Sequence, residues 1–188
     1  MRVIAGSARS MPLKTVPGLD TRPTTDRIKE TLFNILQSDV PGCAFLDLFS
    51  GSGAIGIEAL SRGAEEAVFV EKARNAAACI RENLKFTRLE DRALVMEGDC
   101  VWAVERLGSQ GKIFDCIFMD PPYRSGQEKA VLAAVKAAGI AGKETRIIIE
   151  AALNSDYAWA EEMGYQIDRE KRYKTNKHVF MHLEGGSV

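Results

Sequence analysis

The sequence predicts an α/β protein: a doubly wound, Rossmann-like sheet, mostly parallel, with an antiparallel last strand and an N-terminal hairpin-and-helix appendage. Three observations predict it. From Cys43 onward, short apolar runs alternate with helical patterns, which is the signature of a parallel sheet covered on both faces. A glycine-rich loop joins the first of these runs to its helix. The last two apolar runs are separated by only a short turn, so they form a hairpin and the final strand must reverse.

The elements follow in order. Residues 2–5 and 12–16 read as two strands around a Gly-Ser-rich turn, and Pro17-Gly18 ends them. A helix begins at Thr24 or Thr25 with Asp26 in its first turn, and Ile28, Leu32, Ile35 and Leu36 give it one apolar face. Pro41-Gly42 stops it. Strands are expected at 44–49, 66–70, 93–96, 113–119 and 146–150, each followed by a helix, and the terminal hairpin at 165–171 and 177–183. Met96 and Met119, at strand ends, are expected in the core, and Trp102 and Trp159 on helices. Residues 1–42 thus form the appendage, 43–184 the α/β domain and 185–188 a loose tail.

Composition narrows the function. The chain has 188 residues, 46% hydrophobic and 27% charged, with 25 basic residues against 26 acidic, a net charge of −1. That is an ordinary globular protein of about one domain. No apolar run approaches the roughly 18 residues of a membrane helix, and the N-terminus lacks a signal-peptide core. Cys43, Cys79, Cys100 and Cys116 are scattered in or beside apolar segments with no Cys-x-x-Cys pair, as reduced core cysteines of a cytoplasmic protein would be. His178 and His182 lie four apart in a strand, about 13 Å at the usual rise, so no metal site is expected.

Charge is uneven along the chain. Residues 1–29 hold six basic side chains (Arg2, Arg9, Lys14, Arg22, Arg27, Lys29) against two acidic ones. Residues 169–177 hold five (Arg169, Lys171, Arg172, Lys174, Lys177) against Glu170. The second cluster sits on the hairpin turn, which should emerge at the carboxyl edge of the sheet. Two basic patches flanking a carboxyl-edge site suit an RNA backbone.

The glycine loop runs Asp47-Leu48-Phe49-Ser50-Gly51-Ser52-Gly53-Ala54-Ile55-Gly56 and satisfies G-x-G-x-x-G. Glu71 ends the next strand, where a carboxylate can accept both hydroxyls of a ribose. A dinucleotide would place its pyrophosphate on the helix N-terminus, and Asp47 would repel it. A sulfonium with an ammonium group, as in S-adenosylmethionine, suits that carboxylate better. Asp47 as a capping or turn residue remains the alternative. Asp120-Pro121-Pro122-Tyr123 closes the fourth strand, at the same end of the sheet. The Asp120 carboxylate and the Pro121 carbonyl can accept the two N–H bonds of a conjugated amine and aim its lone pair at a methyl donor. Two prolines fix the chain, and Tyr123 offers a face to an unstacked base.

With these motifs in hand, the sequence resembles the class I S-adenosylmethionine-dependent methyltransferases of the exocyclic-amine type, and most closely the RsmD family of 16S rRNA guanine-N2 methyltransferases. The residues that carry the resemblance are Arg2-Val3-Ile4-Ala5-Gly6, Arg22-Pro23-Thr24-Thr25-Asp26-Arg27 leading into Glu30-Thr31-Leu32-Phe33-Asn34-Ile35-Leu36, the loop from Asp47 to Gly53, and Asp120-Pro121-Pro122-Tyr123. The resemblance implies that Asp47, Phe49, Ser50, Gly51, Ser52 and Gly53 hold the methionine end of S-adenosylmethionine. Glu71, with Lys72 beside it, would hold the ribose, and Asp99 and the Cys100 amide the adenine, with Asp120 closing the site. Asp120, Pro121, Pro122 and Tyr123 would hold the target guanine. Arg2, Arg9, Arg22, Pro23, Thr24 and Arg27, with Lys171, Arg172 and Lys174, would contact RNA, and the appendage would cover the cofactor. The partner implied is 16S rRNA, or a small-subunit assembly intermediate with its ribosomal proteins. One departure is visible: Ser10 follows Arg9 where the family commonly has Gly. The Asp-Pro-Pro-Tyr motif also fits an N6-adenine nucleic-acid methyltransferase or a protein-glutamine methyltransferase, the glycine loop alone would fit a nicotinamide oxidoreductase, and a catalytically silent RNA-binding module is a further alternative.

Overall fold

The computed structural model describes residues 1–16, 26–122 and 125–185. Seven strands form one sheet: β1 (Ala44–Leu48), β2 (Glu66–Glu71), β3 (Ala93–Glu97), β4 (Phe114–Met119), β5 (Ala141–Ala152), β6 (Tyr165–Arg172) and β7 (Asn176–Leu183). Their order is β3-β2-β1-β4-β5-β7-β6. β1 to β5 run parallel, and β7 lies antiparallel between β5 and β6. The doubly wound arrangement and the reversed last strand are therefore as the sequence predicts.

Central strands read as continuous apolar runs because both faces are covered. On one face α1 (Asp26–Ile35), α2 (Ala54–Ser61) and α3 (Arg74–Thr87) meet Phe45, Phe69, Phe118, Ile148 and Phe180 of the sheet. On the other, α4 (Cys100–Ser109), α5 (Gln127–Ala138) and the single-turn α6 (Trp159–Glu162) meet Leu46, Leu48, Val70, Ile117, Met119 and Ile149. Met96 and Met119 are core residues, and all four cysteines are buried and free. Trp102 is exposed, with the Arg106 guanidinium over its ring.

Three details differ from the sequence reading. The N-terminal hairpin is reduced to one bridge, Arg2 to Pro12. After Val3 the backbone turns to bond α2: the Ile4 and Ala5 amides donate to Glu58, and the Ala8 amide donates to the Ser61 hydroxyl. Strand pairing, carried by the Val3 and Leu13 amides donating to the Met11 and Met1 carbonyls and the Ser10 amide to the Val3 carbonyl, gives way to helix contacts beyond Val3. β5 is longer than 146–150, beginning at Ala141, with a register shift against β4 between Phe114 and Cys116. The helix after β5 shrinks to one turn. The expected helix start at Thr24 or Thr25 lies outside the described residues.

This appendage is fastened by charge as well as by Leu32, Phe33 and Leu36. Lys29 is fully buried, 3.2 Å from Glu58, and it donates to the Arg2 carbonyl at 2.6 Å. Burial lowers the Lys29 pKa, against the pull of the Glu58 charge. Arg62 reaches Glu58 from the other side at 2.8 Å. Lys29 is thus not part of an exposed basic patch, which corrects the reading of residues 1–29. Lys14 pairs with Glu82 and Arg2 with Asp26 at the surface. Arg9 and Arg27 are exposed. Ser10 adopts φ 68, the left-handed region where glycine is at ease.

Candidate active site

The site lies at the carboxyl ends of β1 and β4, where strand order reverses and open α/β sheets bind ligands. A cavity of about 750 Å³ opens there, a volume typical of small-molecule sites. Its wall includes Phe49, Gly51, Glu71, Lys72, Asp99 and Cys100 on one side. Asp120, Pro121, Pro122, Gln127, Val131 and Glu150 complete the other. Seven of the residues expected to hold a cofactor (Phe49, Gly51, Glu71, Lys72, Asp99, Cys100 and Asp120) share this cavity with Pro121 and Pro122.

Asp47, Ser50, Ser52 and Gly53 do not line the cavity. They shape the loop from beneath. Asp47 is 1% exposed and accepts from the Gly56 amide at 2.9 Å, satisfying an otherwise orphaned donor in the first turn of α2. Asp47 is therefore a helix cap, whatever else it does. Burial, opposed by that hydrogen bond and reinforced by the Glu71 charge, pushes its pKa up to about 8. The Ser50 hydroxyl donates to the Asp47 carbonyl, and the Gly53 amide donates to the Ser50 carbonyl at 2.7 Å. Asn83 of α3 donates to the Ser52 carbonyl at 3.0 Å.

The glycines have distinct tasks. Gly56 must be glycine because a Cβ there would sit 2.3 Å from the Phe69 ring, which is how close α2 approaches β2. Gly51 has φ 56, and no atom lies within 4 Å of where its Cβ would be. It leaves the loop open on the cavity side, a cradle that a ligand can fill.

Both oxygens of Glu71 are engaged: one accepts from the Gly51 amide and the other from the Ala73 amide, each at 2.8 Å. The carboxylate is thereby locked in orientation at the cavity edge. It keeps acceptor positions on each oxygen, since a carboxylate has about four. Asp99 caps α4 by accepting from the Val101 amide at 2.9 Å. Burial pushes the neighbouring Cys100 thiol up to about 12, so it is a neutral wall and not a nucleophile.

Asp120 follows the last residue of β4. Its pKa is raised well above the ordinary range, first by burial and then by the charges of Glu150 and Asp47. Pro121 and Pro122 carry no N–H, so this corner offers acceptors to a ligand and no competing backbone donors. Tyr123 lies outside the described residues, as do Arg22, Pro23 and Thr24.

Glu150 is a site residue that the sequence reading missed. It ends the apolar part of β5 and is 4% exposed. The rule that singled out Asp120, a carboxylate at a strand's carboxyl end, would have found it. The hairpin turn also reaches this edge, since β7 begins with Asn176 opposite Ala152. Lys171, Arg172 and Lys174 stand around that turn, and Arg172 donates to the Leu153 carbonyl. Lys177 is buried and paired with Glu170, so it is not part of the surface cluster.

His178 and His182 each have their own acid partner, Glu150 and Asp168. Among the described residues, no group of three or more His, Cys, Asp or Glu side chains could hold a metal ion. No helix among them is long and apolar enough to cross a membrane.

Residues 1–182 match the protein family described as conserved hypothetical protein 95. The chain is 43% identical over 135 residues to a candidate rRNA methyltransferase, YlbH, of Bacillus subtilis, covering 72% of this chain and 73% of that one. It is 35% identical over 152 residues to the ribosomal RNA small subunit methyltransferase D of Escherichia coli K12, covering 80% and 74%. Among solved structures, a candidate methyltransferase of Escherichia coli, yhhF, superposes with a TM-score of 0.81 at 33% identity, covering 98% of both chains. A hypothetical protein of Thermus thermophilus superposes with a TM-score of 0.83 at 29% identity, covering 98% and 99%.

Proposed function

The chain belongs to the RsmD family, matched over residues 1–182, and on that premise we propose that it transfers a methyl group from S-adenosylmethionine to the exocyclic N2 amine of a guanine in 16S rRNA, within an assembling small ribosomal subunit. The observation that carries this reading is the meeting of Asp120-Pro121-Pro122 with the Gly51 loop, Glu71 and Asp99 in one cavity. The similar Escherichia coli protein is named for methylation of small-subunit ribosomal RNA, which supports the substrate.

The residues present fit the cofactor. Their donor set is acidic, and the cradle at Gly51 is open where a Cβ would intrude. Glu71 would take the ribose hydroxyls on the acceptor positions that Gly51 and Ala73 leave. Asp99 would face the adenine amine, and Asp47 would sit below the methionine end. When bound, S-adenosylmethionine supplies an electrophilic methyl group on a positive sulfonium.

The rest falls to this chain's own groups. A guanine N2 amine is a poor nucleophile because its lone pair is delocalised into the ring. The Asp120 carboxylate and the Pro121 carbonyl accept its N–H bonds and turn the lone pair toward the methyl group. Most of the acceleration comes from this placement. Asp120 must be ionised to take up a proton, and a nearby positive charge lowers its raised pKa. The amine then gives up one proton, with Asp120 as the acceptor at hand. Lys171, Arg172 and Lys174, together with Arg9 and Arg27, are proposed to hold RNA phosphates. With a net charge of −1, binding of the isolated protein to RNA is expected to be modest and salt-sensitive.

The test is transfer of a tritiated methyl group to small-subunit particles from a strain lacking this protein, followed by nucleoside analysis. Label in N2-methylguanosine is the expected result. Label on adenine, or none on RNA, overturns the proposal.

A further inference from the structure

Beside Asp120 lies a second carboxylate whose surroundings are built with care. The register of β4 and β5 pairs Phe118 with Ile148 and Met119 with Ile149, so the next step sets Asp120 beside Glu150. Adjacent strand positions are about 4.8 Å apart. Both residues line the cavity.

Glu150 is held by residues of the last hairpin, on β7 and in the turn before it. Asn176 Nδ2 donates to Oε1 at 2.6 Å. His178, the register partner of Glu150, places Nε2 3.3 Å from Oε2. The Tyr173 hydroxyl lies 3.1 Å from His178 Nδ1. With that hydroxyl donating to Nδ1, the imidazole presents its Nε2–H to Glu150. The rings of Phe118, Phe180 and Tyr173 pack edge-on around the imidazole with centroids 5.0 to 6.4 Å away, fixing its plane. Asn176 is 4% exposed and its Oδ1 finds no hydrogen-bond partner among the described residues. The side chain is thus committed to Glu150 through its Nδ2. Three residues from the last hairpin are spent on presenting one carboxylate to a cavity that already contains Asp120.

We infer that Glu150 determines the base specificity of the site, accepting the ring N1–H of a guanine whose N2 amine is held by Asp120. The inference rests on the methyltransferase reading given above. Its chemistry is that of the base edge. Guanine carries two neighbouring donors, N1–H and the N2 amine, so two neighbouring acceptors match it. Adenine carries an amine beside an N1 lone pair, and that lone pair would face the Glu150 carboxylate. A carboxylate set against a ring lone pair repels it in a water-poor pocket, while it attracts an N–H, so such a site rejects the wrong base strongly. The Asp-Pro-Pro corner alone holds an amine on either purine. The second carboxylate is what separates them. Tyr173, His178 and Asn176 are positioning residues that act through Glu150.

The test uses 2-aminopurine, which keeps the exocyclic amine of guanine but has a lone pair in place of N1–H. After the target guanine is mapped by methyl labelling, small-subunit particles are reconstituted with rRNA carrying either guanine or 2-aminopurine at that position. The full-length wild-type protein is expected to favour guanine by about 100-fold or more in kcat/KM. In Glu150→Gln, the side-chain oxygen can still accept from Asn176 while the amide, with the Tyr173–His178 hydrogen bond reversed so that Nε2 accepts, offers its other N–H to the ring nitrogen. The preference is expected to fall at least tenfold, with S-adenosylhomocysteine affinity unchanged by calorimetry. A ratio of rates is insensitive to the fraction of folded protein. Equal rates on the two particles for the wild type would overturn the inference, and so would a Glu150→Gln variant that slows both substrates by the same factor. Failure to methylate guanine N2 at all would instead strike the underlying methyltransferase reading. Glu150→Asp, which keeps the acceptor one carbon shorter, is expected to retain the preference at a lower rate.

Discussion

One carboxylate at the seam and three around the mouth lie on the same side of the sheet, and the protein treats them in opposite ways. At the seam between the appendage and α2, Glu58 is surrounded by donors: Lys29, Arg62 and the amides of Ile4 and Ala5. At the mouth, Asp47, Asp120 and Glu150 lie near enough for the charges of the other two to raise the Asp120 pKa. A buried charge matched by its partners holds structure together. Buried charges of one sign set beside each other are held at a cost by the rest of the fold, and that is the pattern of a site made for a ligand with complementary charge.

The contrast can be broken at either end. The largest effect should come from Asp120→Ala. On the proposed mechanism, methyl transfer to small-subunit particles falls by about 10³-fold, the scale of losing one preorganised electrostatic contact. Because the change also relieves repulsion with Glu150, the melting temperature should hold or rise. A variant that unfolds would place Asp120 with Glu58 as a structural charge.

Lys29→Met should do the reverse. Removing one member of a buried ion pair costs about 3–5 kcal/mol, read as a shift in the urea midpoint, and cofactor binding should survive wherever the protein is folded. A loss under about 1 kcal/mol would mean that Arg62 and the two amides alone satisfy Glu58.

Asp47 tests the mouth by pH. Its folded pKa of about 8 stands above the usual 3.8, so the folded state holds its proton more tightly than the unfolded chain. Its contribution to stability is complete below about pH 4 and is lost as pH rises toward 8, at up to about 1.4 kcal/mol per pH unit. Asp47→Asn keeps an acceptor for the Gly56 amide but cannot ionise. The fall in melting temperature between about pH 5 and about pH 8 should be shallower in this variant than in the wild type. Parallel curves would mean that Asp47 is ionised at neutral pH despite its burial.

The smallest effect belongs to the seam. Ser10 holds φ 68 in the turn that leads the chain back to Pro12. Ser10→Gly should raise stability by about 0.5–1 kcal/mol by removing left-handed strain, less the extra entropy of glycine. Unchanged thermal unfolding would show that the turn bears no strain.

Much of this was legible in the sequence. The alternation of apolar runs with helical patterns pointed to the parallel sheet. The glycine loop, Glu71 and Asp120 were singled out because strand ends and loops can be read locally, Asp99 came from the family resemblance, and the structure sets Gly51, Glu71, Asp99 and Asp120 around one cavity. The rest depends on residues far apart in the chain. Lys29 was counted with the basic cluster of residues 1–29, and only Glu58 of another helix explains its burial. Glu150 looked like the end of a core strand. Its neighbours are set by the insertion of β7, 26 to 28 residues later, which no local pattern reveals. The N-terminal hairpin forms but is shorter than expected for the same reason, since the donors of Ile4 and Ala5 go to α2 and not to a partner strand.

The place of β7 bears on the order of assembly during synthesis. β6 leaves the ribosome first, yet its neighbour in the sheet is β7, which must slide in between β6 and β5. Until residues 176–183 are made, β6 has no edge to join, and Glu150 lacks both Asn176 and His178. Domains fold as units while the chain emerges, but here the wall of the mouth that would read the base is completed by the last strand to appear. A nascent chain holds the residues proposed to bind the cofactor well before it holds those proposed to position Glu150.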